Sequence, residues 1–210
     1  NKIEKSTLCK DNPTYLVRNP IDTSIWKFRK YSKKKNKIIL AICAYDLFND
    51  QRKGFIELIN KLNNFNFKFN VEIYAIGKQA KLEIKSKIKI KYFGYIKNEN
   101  KISKIFNKCD GLLMPSEADN FPNVGVEALA SGLPIITLKN NGINEIVLDK
   151  YNGLKIDGFN NKTLEKIFIW LNELKSKKNN FKIANSMKKI VSYKKVSNEM
   201  IKIYKKILND

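Results

Sequence analysis

Two acidic residues separated by seven positions, Asp119 and Glu127, lie in the segment with the clearest chemical potential. A helix is predicted from Pro122 to Ser131, because proline suits the first helical turn and Gly132 suits the position just past the end. The first-turn N–H groups and the positive end of the helix dipole favour an anion such as a diphosphate. Carboxylates accept hydrogen bonds from paired sugar hydroxyls. Acids flanking an anion site are therefore what a sugar nucleotide would require.

Basic and glycine residues elsewhere in the chain fit the same kind of ligand. Arg52-Lys53-Gly54 stands at the start of a predicted helix, where a phosphate would be held by backbone N–H groups and by side chains. Gly77 and Gly94 each follow a predicted strand, and Tyr95 and Ile96 come next in the chain. The missing Cβ of these glycines would let a flat ring approach the backbone.

Strands and helices alternate through the middle of the chain. Apolar runs without alternation, such as Ile38 to Ile42, are typical of strands covered on both faces. The predicted strands span 37–45, 71–76, 89–93, 111–114 and 133–138, and the predicted helices span 54–63, 100–109 and 122–131. This order predicts an α/β domain with a doubly wound parallel sheet, in which ligands bind at the carboxyl ends of the strands.

The last third of the chain is predicted to be helical. One apolar stripe at helical spacing runs from Leu164 to Leu174, and another runs from Val196 to Leu208. We interpret both stripes as faces that pack into the core.

Composition limits the classes of protein that the chain can represent. It has 210 residues, 43% of them apolar and 29% charged, which is typical of a globular domain and excludes a wholly disordered or collagen-like chain. The formal charge is +21, from 41 Lys plus Arg against 20 Asp plus Glu, and only 3 of the cations are Arg. Because phosphate forks and base edges favour Arg, a nucleic-acid partner is disfavoured. We interpret most of the charge as a compositional bias, and contact with an anionic membrane stays open.

Cysteine spacing and hydropathy exclude further classes. Cys9, Cys43 and Cys109 form no CxxC pair, so neither a zinc site nor a disulfide framework is expected, and a reducing cytoplasm fits best. No apolar run approaches the ~18 residues that span a bilayer, and no signal segment opens the sequence.

The block from Pro115 to Pro134 resembles the C-terminal, donor-binding domain of retaining glycosyltransferases of the GT-B fold, in particular the Glu-x7-Glu group, glycosyltransferase family 4. Four other segments are similar to the same domain in the right order. Asn19 to Asp22 resembles the interdomain linker, and Arg52 to Gly54 the phosphate-binding turn. Asn141 to Val147 resembles a Gly-Gly-x-x-Glu stretch, and Tyr151 to Leu154 the Asn-Gly turn after it. The resemblance covers nearly the whole chain.

The resemblance implies retaining transfer of a hexose from a UDP- or GDP-linked donor to an acceptor hydroxyl, with no metal ion and no cofactor. It implies that Lys53, with Arg52 beside it, grips the donor diphosphate. Asp119 would contact the donor hexose at the catalytic centre, and Glu127 would hold the ribose. Further positions would line the pocket for the sugar, the phosphates and the base: Asn120, Phe121, Asn123, Val124, Gly77, Tyr95 and Ile96.

Three positions depart from the family pattern. Asp119 stands where Glu is usual, which shortens its reach by one methylene, and Glu117 is a nearby substitute. Pro122 stands where many members have Gly and removes one N–H donor. Leu47 stands where many members have an Arg, a loss that Arg52 would have to offset.

The resemblance also implies an N-terminal domain that binds the acceptor and usually supplies a histidine. The chain has no His and resembles only the donor half, so we expect it to form one wall of the active-site cleft and to be inactive alone. The expected organisation is a tail of the N-terminal domain with the linker at 1–36, a Rossmann-like nucleotide-sugar-binding domain at 37–195 and a C-terminal helix at 196–210. The expected acceptor is a glycan or lipid-linked molecule of polysaccharide or glycoconjugate synthesis. The expected location is the cytoplasm, including the inner face of the membrane.

Each site residue also has a purely structural interpretation. Asp119 is suited to capping the helix after it, and Glu127 to a solvated helix face. Arg52 and Lys53 suit an exposed helix start, and Tyr95 suits packing. For the whole protein, the alternative is a non-catalytic basic module for an anionic membrane or nucleic acid, with an affinity that falls steeply with salt and is indifferent to both acids.

Overall fold

The computed structural model describes residues 13–28, 37–68, 70–78, 86–177 and 179–209. Within these ranges the strands are β1 (Lys37–Asp46), β2 (Asn70–Lys78), β3 (Lys89–Tyr92), β4 (Gly111–Met114), β5 (Ile135–Leu138) and β6 (Gly153–Ile156). The α-helices of the same ranges are α1 (Phe55–Asn63), α2 (Glu99–Phe106), α3 (Asn123–Ala130), α4 (Asn161–Lys177), α5 (Asn180–Val191) and α6 (Tyr193–Asn209). Two short 3-10 turns cover Gln51–Lys53 and Gly142–Glu145.

The six strands of the described residues form one parallel sheet in the order β3-β2-β1-β4-β5-β6. β2 and β3 are therefore added on one side of β1, and β4, β5 and β6 follow in order on its other side. The predicted doubly wound α/β fold is confirmed. In such sheets the ligand site lies where the winding direction reverses, which is here the carboxyl ends of β1 and β4.

Both faces of the sheet are buried, as the unbroken apolar run of β1 indicates. Ile39 and Ala41 pack with residues of α2, α3 and α5 on one face. Ile38 and Leu40 pack with residues of α1 and α4 on the other. Since successive side chains of a strand point to opposite faces, each face needs its own apolar set, and the run supplies both.

Every predicted strand and helix of the central region is present; β4 has the predicted bounds, and the ends of the others are shifted. The helix predicted from Pro122 to Ser131 begins one residue later, because Pro122 is its extended N-cap residue with a ψ of 118°. Two elements were not predicted. α5 was missed, and β6 occupies part of the segment assigned to the Asn-Gly turn, Tyr151 to Leu154.

The prediction that the last apolar stripe faces the core is wrong. Of its residues on α6 only Val196 is buried, whereas Tyr204, Ile207 and Leu208 are 55%, 50% and 83% exposed. Helical periodicity identifies an apolar face but not the surface that covers it. The stripe from Leu164 to Leu174 on α4 is buried as predicted.

Residues before β1 also contribute to the core. Trp26 is 1% exposed, and its ring lies 5.9 Å from that of Phe106 on α2. The Ile21 N–H donates a hydrogen bond to the Val191 carbonyl at the end of α5, 3.0 Å away. The boundary at residue 36 stays a prediction, and the cationic run Lys33 to Lys35 lies outside the described residues.

Candidate functional site

An ion pair joins two predicted site residues that are far apart in the sequence. The Lys53 ammonium donates to both carboxylate oxygens of Asp119, at 2.7 and 3.0 Å. Gly54 makes the approach possible, because it has a φ of +63° and a Cβ there would lie 2.8 Å from the Pro115 carbonyl oxygen. The Lys53 and Asp119 side chains are 28% and 19% exposed. A cation and an acid therefore meet at the carboxyl ends of β1 and β4.

Arg52 lies at the rim of this site. Its guanidinium donates two hydrogen bonds of 3.0 Å to the Asp50 carboxylate, and this contact lowers the pKa of Asp50. Leu47 is 1% exposed and belongs to the core. Glu117, the alternative acid, is exposed and donates its backbone N–H to the Arg52 carbonyl at 3.3 Å. The described contacts thus place the side chain of Lys53, and not that of Arg52, against the Asp119 carboxylate.

The loop that carries Asp119 is held by a second loop whose role the sequence did not reveal. The Gly142 N–H donates to the Asp119 carbonyl at 2.8 Å. A Cβ on Gly142 would lie 1.3 Å from the Asn120 carbonyl oxygen, so only glycine fits there. The Asn141 side-chain amide donates to the Ser116 carbonyl at 3.3 Å. The resemblance pointed to this second segment, but only the structure gives it a positioning role.

The N-terminus of α3 faces the same region. The amides of Asn123 and Val124 are in the first turn, where a helix supplies no acceptor. Gly125 donates its N–H to the Pro122 carbonyl at 3.0 Å. The Asn19 side chain donates to the Asn123 side-chain oxygen at 3.1 Å. Asn19 is therefore a neighbour of the site that its position before β1 did not suggest.

Glu127 lies one turn into α3 and is half-buried. Burial, and next the negative charge of Glu99, raise the pKa of Glu127 to about 7. Burial, and next the charge of Glu127, raise the pKa of Cys43 to about 12. The Cys43 thiol is thus uncharged at neutral pH, and Glu127 titrates near neutrality at the carboxyl end of β1.

The predicted base-binding residues lie at the end of β2 and in the segment after β3. The Gly77 N–H donates to the Gly94 carbonyl at 3.0 Å. A Cβ on Gly77 would lie 2.0 Å from the Ala44 carbonyl oxygen, so packing of the strand ends accounts for this glycine, while Gly94 has open space around it. Tyr95 is 50% exposed and Ile96 packs partly against the core. Space for a flat ring is thus available beside Gly94 and Tyr95.

A small cavity of about 20 Å³ lies between β1, β4 and α3, and it is lined by Cys43, Lys53, Asp119 and Val124 among others. Lys53 and Asp119, whose side chains contact each other, both line this cavity. Phe121 packs partly against the core beside α3. Over the described ranges, the acids and cysteines form no cluster that could hold a metal ion. A cation, a helix N-terminus and two acids together can bind an anion that carries hydroxyl groups.

A family model described as glycosyl transferases group 1 matches residues 22–189. The chain belongs to this family, and its fold is that of the Rossmann-like C-terminal domain of GT-B glycosyltransferases.

Two curated relatives have low identity and are longer than the chain. An uncharacterized glycosyltransferase of Methanocaldococcus jannaschii is 29% identical over 160 residues, which cover 74% of this chain and 45% of the relative. An uncharacterized 41.2 kDa protein from the cps region of Klebsiella pneumoniae is 28% identical over 109 residues, 51% of this chain and 30% of that protein. The chain thus spans less than half the length of either relative.

Solved structures share the fold at low identity. Sucrose-phosphate synthase of Thermosynechococcus elongatus has a TM-score of 0.74 at 14% identity, over 99% of this chain and 56% of that one. HepE of Anabaena, in complex with UDP-glucose, has a TM-score of 0.69 at 15% identity, over 91% and 57%. The C-terminal domain of a group 1 family glycosyl transferase of Francisella tularensis has a TM-score of 0.53 at 20% identity, over 81% and 96%.

Proposed function

We propose that this chain is the donor-binding half of a retaining hexosyltransferase that uses a UDP- or GDP-linked sugar. The observation that carries the proposal is the meeting of Lys53, Asp119 and the N-terminus of α3 at the carboxyl ends of β1 and β4. Membership of the glycosyl transferases group 1 family supports it. UDP is the first probe to use, because HepE, which shares the fold, is described in complex with UDP-glucose.

The proposed chemistry requires charge stabilisation on the leaving group. When the bond between the anomeric carbon and the β-phosphate oxygen breaks, the electron pair stays on the diphosphate, the acceptor oxygen bonds to the anomeric carbon, and the acceptor proton passes to the diphosphate. Lys53 and the first-turn amides of Asn123 and Val124 would stabilise that charge. Asp119 would accept a hydrogen bond from a hexose hydroxyl, and Glu127 would accept those of the ribose.

The acceptor-binding half is proposed to pack on the exposed apolar face of α6. Tyr204, Ile207 and Leu208 form part of that face, and Leu16, which is 67% exposed, belongs to the segment beside it. The Lys206 ammonium lies 5.6 Å from the Tyr15 ring, so α6 and this segment adjoin. An exposed apolar patch of this kind is typical of a protein interface. The protein would bind a glycan or lipid-linked acceptor through that second half.

Nucleotide titration tests the donor site. By calorimetry, the chain is expected to bind UDP or GDP, and Glu127→Gln is expected to weaken that binding. Glu165→Gln is the matched control, because Glu165 is an exposed acid on α4, away from the site. An absence of binding to either nucleotide, or equal affinities for both variants, would contradict the proposal.

The competing function is a basic module for an anionic surface, which the charge of +21 favours. Sedimentation with phosphatidylglycerol vesicles at low and high salt measures binding of the chain to such a surface. Binding that is lost with salt and unchanged in Asp119→Asn and Glu127→Gln, together with no nucleotide binding, would favour the module. Nucleotide binding together with weak vesicle binding would favour an enzyme that also works at the inner face of the membrane. No helix in the described ranges is long and apolar enough to cross a bilayer.

A further inference from the structure

Two exposed tyrosines pack on each other at the carboxyl edge of the sheet. The Tyr45 and Tyr95 ring centroids are 5.3 Å apart, and the ring planes meet at 76°. Tyr45 is 62% exposed and Tyr95 is 50% exposed. The Lys78 ammonium lies 4.3 Å from the Tyr45 ring centroid. We call these three residues the tyrosine platform.

A β-bulge in β1 sets the orientation of the tyrosine platform. Cys43 pairs with Ile76 of β2, and Asp46 pairs with Lys78. Two residues of β1, one of them Tyr45, therefore oppose a single residue of β2. Such a bulge bends the strand and redirects a side chain, and bulges of this kind are frequent beside functional sites.

The backbone supports this geometry. Gly77 is the single residue opposite the bulge, and its missing Cβ lets the Ala44 carbonyl approach. Its N–H bonds to the Gly94 carbonyl at 3.0 Å, which ties the end of β2 to the loop that carries Tyr95. The two rings are thus held by three adjoining strand ends and not by burial in the core.

The platform also lies near the acid assigned to the ribose. Cys43 is close enough to Glu127 for that carboxylate to raise the pKa of its thiol. Tyr45 follows Cys43 by two positions in β1, so the tyrosine platform and Glu127 lie at the same edge of the sheet.

We infer that the tyrosine platform stacks the base of the donor nucleotide, and that Lys78 donates a hydrogen bond to a keto oxygen of that base. This inference rests on the proposed function. Exposed aromatic rings provide stacking surface for a base, and an ammonium group has donors but no acceptor. Uracil and guanine carry a keto oxygen and adenine has none, so Lys78 selects uridine or guanosine donors over adenosine donors.

The test separates the base from the phosphates. Calorimetry with UDP, GDP, ADP and inorganic pyrophosphate is performed on the wild-type chain and on Tyr45→Ala, Tyr95→Ala and Lys78→Met. Tyr193→Ala is the matched control, because Tyr193 is similarly exposed, at 57%, but lies at the start of α6. Since Tyr45 is mostly exposed, its removal is not expected to affect folding.

We expect Tyr45→Ala and Tyr95→Ala to lower the affinity for whichever of UDP and GDP binds the wild type more tightly, by at least fivefold. Their affinity for pyrophosphate should be unchanged. Lys78→Met should reduce the preference for that nucleotide over ADP about fivefold, and Tyr193→Ala should bind as the wild type does. Equal nucleotide affinities in the wild type and both tyrosine variants would overturn the platform alone, as would an equal loss of pyrophosphate affinity. An unchanged preference in Lys78→Met would overturn the role of Lys78. No binding of UDP or GDP to the wild type would overturn the proposed function as well.

Discussion

Replacing Asp119 by Asn is expected to strengthen the binding of a nucleoside diphosphate. In the structure the Asp119 carboxylate contacts the Lys53 ammonium, with distances of 2.7 and 3.0 Å. A donor diphosphate needs the same ammonium group, so it must displace the carboxylate and lie beside its negative charge. Asparagine has nearly the same shape but is uncharged, which removes both obstacles.

The size of the gain follows from the exposure of the pair. Opposite unit charges 4 Å apart attract by about 4 kcal/mol near a protein surface, and exposed pairs retain roughly 0.2 to 1 kcal/mol after solvation. The Lys53 and Asp119 side chains are 28% and 19% exposed. Because the pair is neither fully exposed nor fully buried, we expect its interaction energy to lie between these two values. We expect a net gain of about 1.4 kcal/mol in UDP binding, which is tenfold in affinity.

Calorimetric titration with UDP and with a UDP-hexose measures the effect. Asp119→Asn should bind UDP about tenfold more tightly than the wild type does. Its gain in affinity for the UDP-hexose should be smaller, because the amide is a weaker acceptor for a hexose hydroxyl. Glu117→Gln is the control, since it removes the same charge from the same loop two positions earlier. If Asp119→Asn binds UDP no more tightly than Glu117→Gln does, the proposed displacement of a direct ion pair is wrong.

Three further predictions concern the pH dependence and the packing around the site. Because the pKa of Glu127 is raised to about 7, the carboxyl is neutral below that pH and ionised above it; UDP-hexose affinity should rise roughly tenfold from pH 6 to pH 8, and Glu127→Gln should flatten this profile. Gly142→Ala should lower the free energy of unfolding by more than about 2 kcal/mol, because its Cβ would lie 1.3 Å from a backbone oxygen; Gly158→Ala, with nothing within 4 Å, should change it by less than about 0.5 kcal/mol in urea titration. Trp26→Ala should lower the free energy of unfolding by about 3 to 5 kcal/mol. Leu16→Ala, at an exposed position, should lower it by less than about 0.5 kcal/mol.

Each of these measurements has a contrary outcome. A rise of affinity with pH that persists in Glu127→Gln would assign the titration to another group. Equal unfolding free energies for the two glycine variants would mean that the loops adjust to the added methyl group. A Trp26 variant as stable as the Leu16 variant would exclude the segment before β1 from the core.

Much of the fold could be predicted from the sequence. The unbroken apolar run at Ile38 to Ile42 requires a strand covered on both faces, and the alternation with helical stripes requires parallel pairing. β6 escaped prediction because four residues beside an Asn-Gly turn carry little periodic signal. α5 lies between the helical stripes of α4 and α6 and was not separated from them.

The candidate site could be predicted in its residue types but not in its contacts. Lys53, Asp119 and Glu127 were indicated by their places at predicted helix starts and by the family resemblance of the ordered motifs. Their sequence gave no sign that Lys53 and Asp119 bind each other, since the two residues are 66 positions apart. Nor could the spacing reveal that Gly142 holds the acidic loop.

The amino-acid sequence by itself determined the fold class, the edge of the sheet that carries the candidate site and the residue types available there. These properties depend on local periodicity and on order along the chain, which a sequence contains directly. Only the tertiary structure decided that Leu47 enters the core, that Asn19 reaches α3 and that the α6 stripe faces outward. These outcomes depend on which distant segments come together and how much room they leave, because contact and burial are properties of the packed chain.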